Sequence, residues 1–245
     1  MRNIWTIAKR EYKAYFSSLT AYLFAFIMLL VVGFFTTENI IYSMNMFGQV
    51  PPPDVQVVIG PVVFLLVIVC PAFTMRLLSE EQRLGTIELL LTAPVRDAEL
   101  VVGKWLGSFL MVLTLIAITL IYPMALNVMT SPGIDQGLMI SGYLGLLLVS
   151  AVFLSIGVAV SSLFSNQIAS FIVTLGVVIV LWWIFGIISQ VGGGNPVVSF
   201  LDLASHFYND LMQGVISLRG VVYALCLTAG FLTLGTVSVE TRRWR

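Results

Sequence analysis

Charge is scarce in this sequence. Of 245 residues, 10% are charged and 59% are hydrophobic, whereas a soluble domain is about one quarter charged. Water is therefore not its main solvent. Histidine occurs once and cysteine twice. Cys70 and Cys226 both fall in apolar runs, with no Cys-x-x-Cys pair and no Cys/His cluster. That sets aside a disulfide framework and a metal site, and leaves the cysteines as small apolar filler. The lone His206 has no accompanying ligand set, so it is not read as a metal or catalytic residue. Long runs without polar–apolar alternation set aside a β-barrel. A formal net charge of zero gives no reason to expect a nucleic-acid partner. The first basic residues precede a polar-aromatic segment rather than a short apolar core with a small-residue cleavage pattern, so no cleavable signal peptide is read there.

Long apolar runs are what the chain has in their place. A membrane-crossing helix needs about 20 apolar residues, and six segments qualify: 20–37, 56–78, 104–129, 138–164, 168–190 and 218–239. The expected fold is all-α, a single polytopic membrane domain covering 1–245. Lys and Arg give it an orientation. Eleven of the twelve basic residues fall before span 1, between spans 2 and 3, or after span 6; Arg219 alone lies on the other side. That basic side is expected to be the cytoplasm, with both termini in it. Between their ends the predicted spans carry no ionisable residue. Intramembrane charges are costly and mark ion pathways, so their absence argues against an ion-coupled pump, a charged-filter channel and an intramembrane enzyme.

Residues 1–18 form an expected interfacial helix. On a helical wheel Ile4, Trp5, Ala8, Tyr12, Tyr15 and Phe16 share one arc of about 120°. Arg2, Lys9, Arg10 and Lys13 lie opposite, as in a helix resting on lipid headgroups. An anchoring role and a direct partner contact are both compatible with it.

Against the general scarcity, "RLLSEEQRLGTIELLLTAPV" (76–95) concentrates five charges in thirteen residues, Arg76 to Glu88. Ser79 and Gln82 have capping-box spacing. Gly85 suits a left-handed end to that turn, Thr86 suits the cap of a second short helix, "IELLL", and Pro94 stops it from a distance. Asp97 and Glu99 suit the first turn of the next helix. The spacing predicts a short helix between two breaks, with Leu89, Leu90 and Leu91 needing lipid or protein to bury them.

Pro61, Pro71 and Pro123 are candidate kinks inside spans. Ala151, Ser155 and Ala159 form a small-residue stripe suited to close helix packing, within the subunit or between subunits. The "GGGNP" of 192–196 reads as a break; no Lys-Ser/Thr follows to make a phosphate loop. The rest of 191–217 is too interrupted for a seventh span and reads as a re-entrant segment packed on protein. No nucleotide motif or nucleophile–base pair is present.

A basic amphipathic helix, six spans, the "SEEQRLGTIELLLTAPV" link, a re-entrant segment before the last span and the ending "ETRRWR" together resemble the ABC-2 type permeases, whose overall design is that of the type V exporters. The opening "MRNIWTIAKREYKAYFSS" and closing "VETRRWR" are most similar to the gliding-motility (Gld) permease branch. The resemblance implies a homo- or heterodimer of permeases in the bacterial inner membrane, served by two cytoplasmic ATPases that bind the ATP and magnesium; this chain binds no cofactor and is not an enzyme. It makes 79–95 the coupling-helix loop, with Glu80, Glu81, Arg83, Gly85, Thr86, Ile87, Glu88, Leu89, Leu90, Leu91 and Pro94 at the ATPase contact. Glu80, Glu81 and Arg83 would brace that knob by ion pairs to the interfacial helix or to the partner. Ser165, Asn166 and Gln167 would form a second cytoplasmic contact, and Trp5, Lys9, Arg10 and Lys13 belong to the interfacial helix. The Gld branch further implies an extracytoplasmic, membrane-anchored partner on the outer loops. The function implied is ATP-driven export or flipping of a lipidic or polymeric cargo. The alternative is mechanotransmission to the outer partner with nothing crossing; scattered polar residues such as Thr114, Thr119, Asn127, Ser155 and Thr174 do not draw a continuous lining that would decide.

Overall fold

The computed structural model describes residues 2–46, 52–85, 96–130, 133–191 and 200–243. Among these residues every regular element is helical. An amphipathic helix, Arg2–Phe16, precedes six helices long and apolar enough to cross a membrane: Leu19–Asn45, Gln56–Arg83, Asp97–Met129, Gln136–Leu163, Gln167–Ile188 and Leu218–Thr241. The six are named spans 1 to 6. Spans 1, 4 and 5 start with side-chain caps for their orphan backbone N–H groups. The Ser18 hydroxyl accepts from the Thr20 N–H at 3.3 Å, the Asp135 carboxylate from Gly137 at 2.8 Å, and the Asn166 side chain from Ile168 at 2.9 Å.

Span 4 is the central pillar. Of its most apolar window 83% is buried, against 17% for span 5 and 22% for span 1. Glycines on span 4 let its neighbours close in. A Cβ on Gly145 would come within 2.7 Å of the Phe207 ring, and Cβ atoms on Gly142 and Gly157 would collide with Ile59 and with Thr74 of span 2. Ala159 packs beside Gly235 of span 6, so this part of the small-residue stripe serves packing within the subunit. Thr74 cannot swing away freely, because its hydroxyl donates to the Cys70 carbonyl at 2.9 Å. Gly157→Ala is therefore expected to overpack the contact between spans 2 and 4 and cost about 1–3 kcal/mol. Thermal unfolding of the detergent-purified chain measures this; an unchanged midpoint would refute the contact.

Several boundaries differ from the sequence expectation. Span 1 runs eight residues past 37, to Asn45. Its 27 residues make a rod of about 40 Å, longer than a hydrocarbon core of about 30 Å. Polar residues such as Glu38 and Asn39 concealed this extension, although nothing after them breaks a helix. Span 3 begins at Asp97, not 104, and is interrupted at Leu120 between helices Asp97–Thr119 and Ile121–Met129. Pro123 has no N–H to give the Thr119 carbonyl, four residues back, and its ring crowds it. In span 5 a π-helical turn, Val180–Ile184, turns Trp182 inward, where it is buried against Phe153, Phe207 and Tyr208. Nothing in the apolar run marks that bulge.

The segment before span 6 folds back onto the pillar. Helix Leu203–Asn209 and the 3-10 turn Leu211–Gln213 bury Leu203, Phe207, Leu211 and Met212. Ser141 of span 4 donates to the Leu211 carbonyl at 2.9 Å, and Gln56 of span 2 to the Met212 carbonyl at 2.9 Å. Gly214, at φ +83°, then reverses the chain into span 6. His206 meets Phe200 edge to face and lies tilted against Tyr223, and those two rings also touch each other. The "GGGNP" break lies outside the described residues.

Candidate functional site

The most polar construction in the bundle sits at its basic end, where the amphipathic helix, the end of span 2 and the start of span 3 meet. Its centre is Lys104. This side chain is 2% exposed, and its ammonium bonds the carboxylates of Glu11 at 3.0 Å and Glu81 at 2.8 Å. One buried cation thus ties three segments together: the amphipathic helix through Glu11, the last turn of span 2 through Glu81, and span 3 itself. Burying an ammonium costs several kcal/mol unless its charge and donors are matched. Here two carboxylates match it. The expectation of spans free of ionisable groups is therefore corrected: Lys104 lies inside the span 3 helix, two turns from its start.

Two glycines explain how Glu11 gets there. Gly103 and Gly107, four residues apart, share one face of span 3. A Cβ on Gly103 would lie 2.9 Å from the Ile7 Cβ, and one on Gly107 would lie 2.7 Å from the Glu11 Cβ. They form a groove into which the amphipathic helix sinks. Its path along span 3 is marked by Asn3 donating to Glu99 at 3.0 Å, Tyr12 against Thr114 at 3.0 Å and Tyr15 against Ser108 at 3.0 Å. The Tyr15 hydroxyl also donates to the Phe73 carbonyl of span 2 at 3.1 Å, and burial pushes that phenol well above its ordinary range. The buried face is Ile4, Ile7, Ala8, Glu11, Tyr12 and Tyr15, turned roughly 50° from the expected arc. Trp5 and Phe16 are exposed, at 57% and 37%. Lys9, Arg10 and Lys13 are exposed as well, with Arg10 3.4 Å from Glu11.

The short helix Ser79–Arg83 is held differently from its spacing. No Ser79–Gln82 capping box forms. The Ser79 hydroxyl instead donates back to the Met75 carbonyl, and Gln82 donates to the Ser162 carbonyl at 2.8 Å. The cap comes from span 4: the Ser161 hydroxyl accepts from the N–H groups of Leu78 at 3.0 Å and Ser79 at 3.1 Å. Ser238 of span 6 also donates to the Ser162 carbonyl, at 3.2 Å. Side chains thus satisfy both the orphan donors at one helix start and an orphan acceptor at another helix end. Gly85 follows at φ +69°, a backbone that glycine adopts without strain. Among the described residues Glu80 and Arg83 make no ion pair within 4 Å; Glu81 is the bracing residue, and its partner is Lys104. Thr86, Ile87, Glu88, Leu89, Leu90, Leu91 and Pro94 lie outside the described residues.

A family model described as ABC-2 family transporter protein matches residues 5–244. The chain belongs to the ABC-2 family of transporter proteins. No curated protein sequence matches it. As a family member the chain is the multi-pass membrane permease of an ATP-binding cassette transporter, and the family implies a bilayer setting and ATPase subunits as partners.

In this permease the turn after span 4 lies at the same end as the Lys104 node. Ser165 and Asn166 are exposed there, and Asn166 and Gln167 open span 5. Sequence reasoning missed Glu11 and Lys104 as a pair. The available signals were a single acidic residue in an otherwise basic helix and a lysine flanked by glycines at helical spacing. Ser161 carried no such signal, since one serine among several in span 4 announces no partner.

Proposed function

We propose that this permease couples ATP hydrolysis by separate cytoplasmic ATPases to the export or flipping of a lipidic or polymeric cargo. In this reading the basic end lies in the cytoplasm of a bacterial cell, residues 85–91 sit in the ATPase cleft as the coupling helix, and 165–167 make a smaller contact. The observation that carries it is the Glu11–Lys104–Glu81 node together with the Ser161 cap. A push on 85–91 would pass through residues 78–83 into span 3 and span 4 at once, because the intervening joints are short ion pairs and hydrogen bonds. Such a rigid linkage lets ATPase closure bias two arrangements of the spans. Arg83, which lacks an ion pair among the described residues, would be free to meet the ATPase. A permease dimer, and for a Gld-like system an outer membrane-anchored partner, complete the assembly.

The test uses single cysteines in native membranes. A cysteine at Arg83 is expected to cross-link to a co-purifying ATPase and to react with impermeant reagent only in inverted vesicles. A cysteine at Asn39 is expected to react only in right-side-out vesicles. Reversed reactivity overturns the orientation, and absence of any ATPase in the cross-linked product overturns the coupling assignment. Cargo movement in liposomes holding the complex separates export from mechanotransmission, which predicts hydrolysis without transfer.

A further inference from the structure

A cleft of about 460 Å³ opens beside the Lys104 node, between the amphipathic helix, the start of span 1 and the end of span 2. Its lining divides by chemistry. Leu23, Phe24 and Phe73 make an apolar wall, while Glu11, Glu80, Glu81, Arg76 and Lys104 supply charge. Leu23 is 53% exposed, so the wall runs out onto the lipid-facing side of span 1. It lies one turn from the start of that helix at Leu19, about 6 Å along the axis, near the depth where headgroups give way to acyl chains.

The charge pattern selects among headgroups. Three carboxylates face two cations, and Lys104 is already bonded to Glu11 and Glu81. That leaves Arg76 as the one lining cation without an ion pair among the described residues, and Glu80 as a lining carboxylate likewise without one. A guanidinium fork suits a phosphate. The carboxylate surplus suits a primary ammonium, which brings three donors. A lipid carrying only negative charge would meet the surplus as repulsion, and a quaternary amine would bring no donors.

We propose that this cleft binds a zwitterionic aminophospholipid of the leaflet at the basic end, with its phosphate on Arg76, its ammonium on the carboxylates led by Glu80, and an acyl chain along Leu23 and Phe24. This is a resident lipid site, and it stands on the cleft's chemistry independently of the ATPase contact.

The test is native mass spectrometry of the delipidated permease complex titrated with dioleoyl phosphatidylethanolamine, phosphatidylcholine or phosphatidylglycerol, and with soluble phosphoethanolamine. Phosphatidylethanolamine is expected to bind about tenfold more tightly than phosphatidylglycerol. Arg76→Gln is expected to weaken it about tenfold, and Glu80→Gln to remove its preference over the other two lipids. Ala72→Phe, which fills the cleft from the span 2 side, is expected to weaken all lipid binding there. Equal binding of phosphatidylglycerol, a phosphatidylcholine preference, or retention unchanged across all three variants overturns the site. Phosphoethanolamine binding as tightly as the lipid overturns the lipid as its occupant.

Discussion

Lys104→Ala is expected to destabilise the basic end of the bundle more than any other single substitution considered for this chain. Removing the ammonium leaves Glu11 and Glu81 facing each other across the space it filled. Breaking one partner of a buried ion pair costs about 3–5 kcal/mol. Both carboxylates keep some water, at 16% and 18% exposure, which places the expected loss toward the lower end of that range. Even so, 3 kcal/mol is about a hundredfold in the folding equilibrium. The triple change Lys104→Met, Glu11→Gln and Glu81→Gln removes the charges together, and is expected to recover most of the loss because uncharged side chains of similar volume need no ion pair. Unfolding of the purified permease in detergent measures both. A Lys104→Ala protein as stable as the parent would show that the node does not form.

Deleting Gly85–Leu91 is expected to leave the permease folded and to abolish its control of the ATPase. The deleted residues lie beyond Glu81, so the Lys104 node and the Ser161 cap keep all their members. Coupling free energies between sites are typically 1–3 kcal/mol, or about 5–150-fold, and stimulated hydrolysis by the reconstituted complex is expected to fall by a factor in that range. Glu88→Arg should act in the same direction by reversing a charge in the segment. Stimulated turnover unchanged by the deletion would sink the coupling-helix assignment while leaving the fold untouched. Conversely, a deletion protein that fails to fold would mean that the segment supports the bundle rather than the partner.

The two experiments touch features that differ in how visible they are in the sequence. The stretch 76–95 stands out because charge is so rare elsewhere, and its glycine signals a turn through elementary backbone chemistry. The residues that hold its start are hidden. Ser79 has capping spacing with Gln82, yet neither uses it, because Ser161 of span 4 is closer to the free N–H groups and the Ser162 carbonyl offers Gln82 a buried acceptor. Spacing describes what a segment does alone; a neighbour more than eighty residues away in sequence changes the outcome. The amphipathic helix shows the same effect. Its apolar arc is real, but the groove made by Gly103 and Gly107 rotates the buried face until Glu11 points inward.

The sequence by itself determined that this is an all-α membrane protein with six spans, a basic end and a charged link between spans 2 and 3. Those properties follow from transfer free energies summed over 20 or so residues, and such sums are insensitive to how helices pack. Only the tertiary structure decided that Lys104 is buried between two carboxylates, that Trp182 turns inward on a π-helical turn, and that span 4 is the pillar the others lean on. These depend on contacts between segments distant in the chain, where one glycine or one hydroxyl sets the approach of two helices.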